Sequence, residues 1–497
     1  MSAKTSNWQL ILISITLVMS AFMVVVDMTI ANVALPHMMG SLGATSEQIT
    51  WVLTSYTIAE AIFIPLTGYF SRFLGERSLL LLAVTGFIVF SALCGQADSL
   101  TSMIVYRICQ GAMGASIIPL TQSLMVRYFP DDKKDLAMAL WGIGIMMGPV
   151  FGPTIGGLIT THTDWRWIFY VNIPVGLIAL LLIYSLIGQT QRSKPNIDWL
   201  MVAFMAIGIG SLQAFLDQGN SKNWLDSGLI RLLLLSAIIG FSVFIYRAWN
   251  DPDSIVPLRL FKDRNLMMSS LLMAVMSIAI FGSIVIQPLL MEGILGYPPD
   301  TAGFIMMPRG IANATGMLLA VALAHVINPR AIIVAGITLS ALGCMLFFNL
   351  TLMVDPINLI VPGIIQGLGF GLIFVPLSSL AYATLANDQA TNAAALFNLS
   401  RTIGSSMGIS LVSTVLTRST QTQWQELGSN INPYNPQVNE WLGHLNMTID
   451  SDQAASMLAQ LLAQQSTMLG FINAYFFVFC SIVCVLPLLL FIRHNSQ

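Results

Sequence analysis

The chain has 497 residues, of which 56% are hydrophobic and 9% are charged, with a formal net charge of −2. Soluble globular domains carry about 25% charged residues, so this composition excludes a soluble protein and indicates an integral membrane protein with almost no soluble part. The chain has no basic stripe, so we expect no nucleic-acid partner.

Apolar runs follow one another along the whole chain, and roughly 20 residues of helix are enough to cross about 30 Å of hydrocarbon. The first run continues to Leu35 without a small-residue cleavage site, which favours a retained span over a cleaved signal peptide. We therefore predict an all-α membrane protein with fourteen transmembrane helices. The predicted spans are 10–34, 49–70, 78–97, 101–124, 135–160, 166–187, 197–217, 228–248, 266–291, 300–323, 330–349, 358–381, 391–415 and 466–492.

The placement of Lys and Arg in the loops predicts the orientation of the chain. Fourteen of these residues lie on one set of faces and four on the other, and positive residues accumulate on the cytoplasmic side. Both termini are therefore predicted to be cytoplasmic, and the one long connection, 417–465, to face away from the cytoplasm. It has a turn-rich opening at Asn432–Pro436 and an amphipathic stretch at 452–465. An ordered surface hairpin and a docking surface for another protein both fit this pattern.

An internal repeat divides the predicted spans into groups. Gln-Gly occurs at Gln110 in span four and at Gln366 in span twelve, 256 residues apart, and each is followed by Pro-Leu at nearly the same offset. Two six-span halves around an inserted pair account for this spacing, and repeated halves with a site between them are typical of secondary transporters. The predicted units are an N-terminal six-helix bundle at 1–190, an inserted helix pair at 191–262, and a C-terminal six-helix bundle at 263–497.

Span five has no charged residue between Trp141 and Ile159, but it contains six glycines and two prolines. Glycines four apart share one helix face, where they allow a second helix to approach closely. The pattern fits a static packing seam, and it also fits a seam that seals one side of a moving bundle. The residues of this predicted conformational seam are Gly144, Gly148, Pro149, Gly152, Pro153, Gly156 and Gly157.

Five ionisable residues lie clearly inside spans: Asp27, Glu60, Arg107, Arg309 and Arg401. Such groups are costly in a membrane and are functional candidates by default. Asp27 and Arg107 lie at similar depth when about 1.5 Å is counted per residue, which fits a structural ion pair or a proton or substrate switch. Glu60 has no cation in its own span, and burial disfavours its charged form, which suits a group that takes up and releases protons.

These residues define two predicted sites. The proton-coupling candidates are Asp27, Glu60 and Arg107. The predicted substrate cavity consists of Asp27, Glu60, Arg107, Gln110, Arg309, Gln366, Asn398 and Arg401. Because three buried guanidinium groups face only two carboxyls that can be neutralised by protons, the interior favours acidic or neutral lipophilic substrates. Cations remain the alternative.

The short loop after span two contains glycines for turns and charges of both signs. Such a loop can latch one helix end to another through exposed ion pairs worth about 0.2–1 kcal/mol each, or it can simply be a positively charged cytoplasmic loop. The residues of this predicted cytoplasmic latch are Gly68, Arg72, Gly75, Glu76 and Arg77.

Five segments together resemble the major facilitator superfamily and, within it, the fourteen-span drug:proton antiporters. They are Asp27–Pro36, Arg107–Gly114, Gly144–Gly157, Trp165–Phe169 with Asn172 and Pro174, and Asn398–Gly404. The third of these looks like the fifth-span motif associated with antiport. The loop at 432–436 is similar to that of the EmrB-type inner-membrane pumps of tripartite efflux systems.

One departure from the superfamily pattern concerns the latch. The superfamily loop usually reads G-x-L-A-D-R-x-G-R-K, whereas here Arg72 stands in the place of the Asp and Glu76 in the place of the first basic residue. The usual latch cannot form with these residues. An ion pair between Arg72 and Glu76, with the signs exchanged, is the hypothesis for its replacement.

The resemblance implies a proton-coupled antiporter that exports lipophilic drugs across a bacterial inner membrane by alternating access. It implies lipophilic small molecules, protons and the bilayer as partners, together with a periplasmic adaptor and an outer-membrane channel. The chain lacks the motif GxxxxGK[ST], so we expect no cofactor and a proton gradient as the energy source. The five cysteines lie in apolar runs without accompanying His or carboxylates, so no metal site or disulfide is expected.

Other functions remain as alternatives. A proton-coupled symporter, or an exporter of one metabolite or fatty acid, would share the fold, although the motif in span five argues against a symporter. An enzyme is not expected because no cluster of His, Cys and carboxylates falls on neighbouring spans. A non-transporting scaffold would have no need for five buried charges.

Overall fold

A computed structural model describes residues 7–130, 133–190, 192–193, 198–251, 254–324, 326–385, 389–444, 447 and 451–491, and the regular structure in these residues is entirely helical. Lys4, Lys194 and both chain termini, which entered the predicted orientation, lie outside the described residues.

The helices that precede residue 190 form the first half of the molecule. They are α1 (Asn7–Leu42), α2 (Ser46–Ile49), α3 (Trp51–Phe63), α4 (Thr67–Leu74), α5 (Glu76–Gly95), α6 (Leu100–Gly114), α7 (Ile117–Tyr128), α8 (Lys134–His162), α9 (Trp167–Tyr170) and α10 (Asn172–Leu186). A 3₁₀ turn at Ile64–Leu66 joins α3 to α4.

Two helices follow, α11 (Trp199–Gly219) and α12 (Gly228–Asn250). The second half then begins. Its helices are α13 (Arg264–Gly293), α14 (Pro299–Ala324), α15 (Pro329–Leu346), α16 (Ile357–Tyr382), α17 (Ala390–Ser429), α18 (Pro436–His444) and α19 (Asp452–Val483).

Twelve segments of the described chain are long and apolar enough to cross a membrane, with α6 and α7 forming one of them. The predicted spans 49–70 and 391–415 are not among the twelve. The first is interrupted by the 3₁₀ turn at Pro65, so that α3 is only 13 residues long. The second lies within α17, which has ample length but many polar residues; its buried residues include Asn398, Ser406 and Ser410. Most residues of both segments are buried within the protein, which allows more polar side chains than a lipid-facing span carries.

The two halves pair their helices in the same order. In the first half α1 packs on α8, α3 on α6, and α5 on α6 and α10. In the second half α13 packs on α17, α14 on α16, and α15 on α16 and α19. Each half therefore repeats one arrangement, with its first and fifth long segments in contact and its second and third packed on the fourth.

Helices α11 and α12 form a closely packed pair. A Cβ atom added at Gly240 would lie 2.5 Å from the amide nitrogen of Gly208, so only glycine allows this approach. Helix α11 contacts α3 of the first half and α17 of the second. Gln213 of α11 donates a hydrogen bond from Nε2 to Oγ of Ser406, with a distance of 2.8 Å. The inserted pair therefore bridges the boundary between the halves on one side of the molecule.

The connection predicted as a loop at 417–465 is mostly helical. Helix α17 continues to Ser429, α18 occupies part of the connection, and α19 begins at Asp452. The two long helices stay together beyond the apolar region, where a Cβ at Gly428 would lie 3.4 Å from Cδ2 of Leu462. The predicted amphipathic stretch is the first part of α19. The side chain of Tyr434, at the tip of this helical hairpin, is 92% exposed.

Candidate functional site

The predicted contact between Asp27 and Arg107 is present. Arg107 Nη1 lies 2.6 Å from Asp27 Oδ2, and the two residues are 0% and 2% exposed respectively. Asp27 Oδ1 also accepts hydrogen bonds from Gln110 Nε2 at 3.0 Å and from Asn172 Nδ2 at 2.7 Å. The carboxylate thus accepts hydrogen bonds from donors on α6 and α10.

The guanidinium of Arg107 is held equally closely. Its Nε donates to the carbonyl of Val52 at 3.2 Å, and its plane lies over the rings of Tyr56, at 4.3 Å, and Phe169, at 5.7 Å. Helix α3 can come this close because Gly111 has no side chain. A Cβ at this position would lie 2.4 Å from the carbonyl oxygen of Tyr56. The ion pair therefore ties α1, α3, α6 and α10 together within the first half.

Glu60 has a different environment. It is 3% exposed and lies on α3, one turn after Tyr56. Within the described residues it forms neither a hydrogen bond nor an ion pair. Arg401 and Arg107 are the cations that act on its charge. Its own span contains no cation, as its sequence indicates, but the fold brings Arg401 of α17 toward it from the other half.

Arg401 is held by its own helix, since its Nε donates to Asn398 Oδ1 at 3.2 Å. Asn398 in turn donates from Nδ2 to Gln122 Oε1 of α7, at 2.5 Å. The Asn398–Arg401 segment thus contacts the first half directly, and Gln122 is a participant that the sequence motifs did not identify.

Arg309 and Gln366 lie in the second half, apart from the Asp27 network. Arg309 is 7% exposed, and its Nη1 donates to Gln287 Oε1 of α13 at 2.7 Å. Gln366 Oε1 accepts from Ser283 Oγ at 2.9 Å. A cavity of about 30 Å³ adjoins Arg309 between the halves. It is lined by Met146, Pro149, Ile280, Ile284, Met306, Arg309, Gly310, Asn313 and Phe370.

Of the eight residues predicted to line one substrate cavity, six therefore belong to the region around Glu60, and Arg309 and Gln366 lie apart from them in this conformation. A larger cavity, of about 560 Å³, lies between α1 and α8 and contains none of the eight. Its lining consists of Leu10, Ile11, Ser14, Ile15, Val18, Phe129, Lys133, Leu136 and Leu140. It is an apolar groove within the first half, away from the buried charges.

The glycine row of α8 (Gly144, Gly148, Gly152 and Gly156) packs against α1, in the same half. A Cβ at Gly144 would lie 2.3 Å from Val18 Cγ1, and one at Gly152 would lie 1.9 Å from Thr29 Oγ1. Pro153 and Gly157 are half-buried on the same helix, whereas Pro149 lines the small cavity. The contact with the other half is made by a different glycine, Gly142, where a Cβ would lie 2.7 Å from the ring of Phe374.

The hypothesis of an Arg72–Glu76 ion pair is wrong, because Glu76 pairs with Arg127 of α7. Arg72 instead donates from Nε to the carbonyl of its own helix neighbour Gly68, at 3.3 Å. Glu76 is also buried rather than exposed. Arg77 reaches α10, where it donates to the carbonyl of Tyr184.

Glu76 also connects the two halves. Its Oε1 accepts a hydrogen bond from Thr391 Oγ1 of α17 at 3.0 Å, and Thr391 lies 3.3 Å from Ser123 Oγ of α7. Gly75, with φ of +84°, provides the sharp turn that places Glu76 at the start of α5. A Cβ at Gly68 would lie 1.7 Å from Oδ1 of Asn392, so α4 is pressed against α17 at the same end. Glu76, Ser123 and Thr391 form what is here named the inter-half latch.

Comparisons with known proteins agree with this architecture. Residues 17–409 match the Major Facilitator Superfamily. The chain is 33% identical over 468 residues to the multidrug export protein EmrB of Haemophilus influenzae, covering 93% of this chain and 91% of the relative. It is 33% identical over 461 residues to the fatty acid resistance protein FarB of Neisseria gonorrhoeae, covering 92% and 91%.

A similar fold occurs in the proton:xylose symporter XylE, with a TM-score of 0.60, 14% sequence identity and coverage of 96% of this chain and 94% of XylE. Two repeated helical halves with buried charges at and beside their boundary are the architecture of a secondary transporter. The chain belongs to the major facilitator superfamily and, within it, to the EmrB-type multidrug exporters.

Proposed function

We propose that this protein is a proton-coupled antiporter that exports lipophilic compounds from the cytoplasm across a bacterial inner membrane, without a cofactor or catalytic activity. The observation that carries the proposal is the contrast between Asp27, which is fully paired, and Glu60, which has neither a hydrogen bond nor an ion pair within the described residues. A group that is buried without a partner can exchange a proton without breaking a network. Glu60 is therefore the proton carrier, and Asp27 positions the helices of the first half.

The electrostatic link between Glu60 and Arg401 connects the proton to the movement of the halves. Ionised Glu60 on α3 attracts Arg401 on α17, which belongs to the other half. Protonation removes this attraction, which is strong in a medium of low dielectric constant. A proton that reaches Glu60 therefore favours separation of the halves at this point, and its release favours closure.

The proposal includes the membrane topology. The segments 49–70 and 391–415 cross the bilayer as polar helices within the bundle, which gives fourteen spans with both termini in the cytoplasm. Two six-helix bundles, 1–190 and 263–497, then rock about the site, with the pair 191–262 between them. Pro149, beside Arg309 on the inter-half face of α8, and Gly142 lie where the moving surfaces meet.

The helical hairpin of α17, α18 and α19 then projects into the periplasm. Its exposed tip at Tyr434 and its length beyond the apolar region support a docking role. We propose that it contacts a periplasmic adaptor, which in turn connects the pump to an outer-membrane channel.

The export of one acidic amphiphile is the second candidate function. The similarity to FarB, which is described as a fatty acid resistance protein, favours it. So does Arg309, a buried cation that forms no ion pair within the described residues.

The test is transport in proteoliposomes under an imposed pH gradient, with lipophilic acids, cations and neutral compounds. Glu60→Gln is expected to abolish export driven by the gradient while leaving substrate binding intact, because the amide keeps the shape but cannot exchange a proton. Glu440→Gln, at an exposed position of α18, is the matched control and is expected to behave as the wild type. Full gradient-driven export by Glu60→Gln would refute the assignment of the proton.

A further inference from the structure

The two halves hold related clusters at the same place in their repeated arrangement. In the first half a Cβ at Gly111 of α6 would touch the carbonyl of Tyr56 on α3, at 2.4 Å. In the second half a Cβ at Gly367 of α16 would touch the carbonyl of Arg309 on α14, at 2.3 Å. Because Gly111 and Gly367 each follow the repeated glutamine, Arg309 occupies the place that Tyr56 has in the first half.

The guanidinium group enters this cluster from a different helix in each half. Arg107 lies three residues before Gln110, and the residue three before Gln366 is Gly363. A Cβ at Gly363 would lie 3.5 Å from Arg309 Cβ and 3.8 Å from Gln287 Nε2. The position that carries the Arg107 side chain in the first half therefore carries no side chain in the second. The side chain of Arg309 lies next to this position.

The two clusters differ in charge. Arg107 donates to the carboxylate of Asp27, whereas Arg309 donates to the neutral amide of Gln287. Within the described part of the chain, Arg309 forms no ion pair. A buried charge without a counter-charge is unfavourable unless a bound group supplies one. The second half thus lacks the anion that the first half contains.

Unused hydrogen-bonding groups belong to neighbours of Arg309. Gln287 accepts its hydrogen bond, Asn313 lines the same cavity, and Gln366 precedes Gly367, which packs on the Arg309 carbonyl. Gln287 Nε2, Gln366 Nε2 and Asn313 Oδ1 are all buried and have no hydrogen-bond partner. Buried polar groups are almost always paired, so each such atom calls for a partner. Two of the three are N–H donors, and rotation of the Asn313 amide by 180° presents a third. Donors around an unpaired guanidinium suit the oxygens of an anion.

The small cavity beside Arg309 fits the head of such a molecule. Its volume of about 30 Å³ accommodates a group the size of a carboxylate. On the same scale of measurement, roughly 10–15 Å³ is enough for one water molecule. Apart from Arg309 and Asn313 its lining is apolar or glycine, with Met146 and Pro149 from the first half and Met306 and Phe370 from the second. The apolar remainder of a larger molecule would lie between α8 and α14, which belong to different halves and are in contact in this conformation.

We propose that Arg309, Gln287, Gln366 and Asn313 form an anion subsite, which binds the acidic group of a lipophilic substrate while its apolar part lies against Met146 and Met306. The subsite rests on the proposed transport function and adds to it the charge of a preferred substrate class. A cation or neutral compound uses the apolar surfaces without this contact.

The test uses the purified full-length protein in lipid nanodiscs and three fluorescent probes with one ring system. They are 9-anthracenecarboxylate, its methyl ester and (9-anthracenylmethyl)trimethylammonium. The wild type is expected to bind the acid at least tenfold more tightly than the ester. Arg309→Gln should reduce acid binding at least tenfold and change binding of the other two probes less than twofold. Arg231→Gln, at an exposed position of α12, is the matched control and should change none of them.

A second variant keeps the proposal testable if Arg309→Gln does not fold. Gln287→Glu supplies an internal carboxylate to Arg309, as Asp27 does for Arg107. It should preserve folding, occupy the guanidinium and abolish the preference for the acid. Preserved acid preference in Gln287→Glu, or wild-type acid binding in Arg309→Gln, would overturn the subsite.

Two further measurements separate the possible outcomes. Binding is repeated at low and at high sodium chloride concentration. A site for a small inorganic anion would show competition by chloride without a preference for the acid over its ester, which contradicts the proposal. Gradient-driven export is measured with the quaternary amine. If the amine is exported but the protein does not bind the acid in preference to its ester, the subsite is refuted and the proposed function is not. Arg309-dependent acid binding without gradient-driven export of any probe supports the subsite and refutes the proposed function.

Discussion

At the scale of single residues, the protein contains two kinds of buried charge. Asp27 and Arg107 compensate each other and are held by Gln110 and Asn172. Glu60 has no such partner. Removing one member of a compensated pair leaves an isolated charge, which is the most costly state in a medium without water.

The first prediction concerns this pair. Asp27→Asn and Arg107→Gln are each expected to destabilise the protein by roughly 3–5 kcal/mol, since each leaves a buried charge unpaired. The double variant should lose less than the sum of the two. The measurement is the thermal unfolding midpoint of all four proteins in the same detergent. Additive losses would mean that the two side chains do not act as a pair.

The sequence predicted this pair because depth in a membrane helix can be counted along the chain. It could not predict the partner of Glu76. Arg72 and Arg77 are the cations near Glu76 in the sequence, whereas Arg127 approaches Glu76 only when α7 packs beside α5. Gln122 was also missed as a site residue, and Asn172 was identified only as part of the motif of span six. A buried amide carries no charge, and its sequence surroundings resemble those of any polar residue in a span.

At the scale of helices, α8 has two glycine faces with different neighbours. The glycine row packs on α1 of the same half, whereas Gly142 packs on Phe374 of the other half. Contacts within a half persist when the halves move, and contacts between halves do not. We therefore expect the row identified from the sequence to be a static seam and the moving surface to lie beside it.

The second prediction distinguishes these two faces. Gly152→Ala places a Cβ 1.9 Å from Thr29 Oγ1, and overpacking of this kind costs about 1–3 kcal/mol. It should lower the unfolding midpoint. Gly40→Ala, where no atom lies within 4 Å of the added Cβ, is the control and should not lower the midpoint. An unchanged midpoint for Gly152→Ala would argue against the seam.

The third prediction concerns Gly142→Ala on the other face. Its Cβ meets the ring of Phe374 at 2.7 Å, and this ring belongs to a helix of the other half. Separation of the halves can relieve this overlap, so the substitution should disfavour the present conformation, change the rate of export in proteoliposomes by severalfold, and lower the unfolding midpoint less than Gly152→Ala does. A large loss of stability with a normal export rate would show that this contact is also static.

Helix boundaries at the centre of the bundle were the hardest part of the fold to predict. The segment 391–415 was predicted as a single span, but α17 extends to Ser429 because its polar residues continue in the helix beyond the apolar region. A hydropathy pattern marks where a segment leaves the lipid, and it does not mark where a helix ends. For the same reason the connection 417–465 was predicted as a loop.

At the scale of the whole molecule, the inter-half latch joins the two halves at one end. Glu76, Ser123 and Thr391 are buried there, and a Cβ at Gly68 would touch Asn392. Alternating access requires that such contacts break in one part of the cycle. The strength of the latch therefore sets how readily this end opens.

The fourth prediction uses the latch directly. The hydroxyl oxygens of Ser123 and Thr391 lie 3.3 Å apart, so Ser123→Cys with Thr391→Cys is expected to form a disulfide after modest adjustment. The oxidised double variant should not transport, and reduction should restore export to the level of the reduced single variants. Transport by the fully oxidised protein at the wild-type rate would mean that this end does not open during the cycle.

The bridge made by α11 gives the molecule two unequal flanks. Where α3 and α17 meet, α11 covers the boundary and holds Ser406 through Gln213. At the opposite boundary α8 and α14 face each other without an inserted helix. We therefore expect a compound dissolved in the lipid to enter between the halves on this flank, beside Met146, Pro149 and Arg309, and not on the flank that α11 covers.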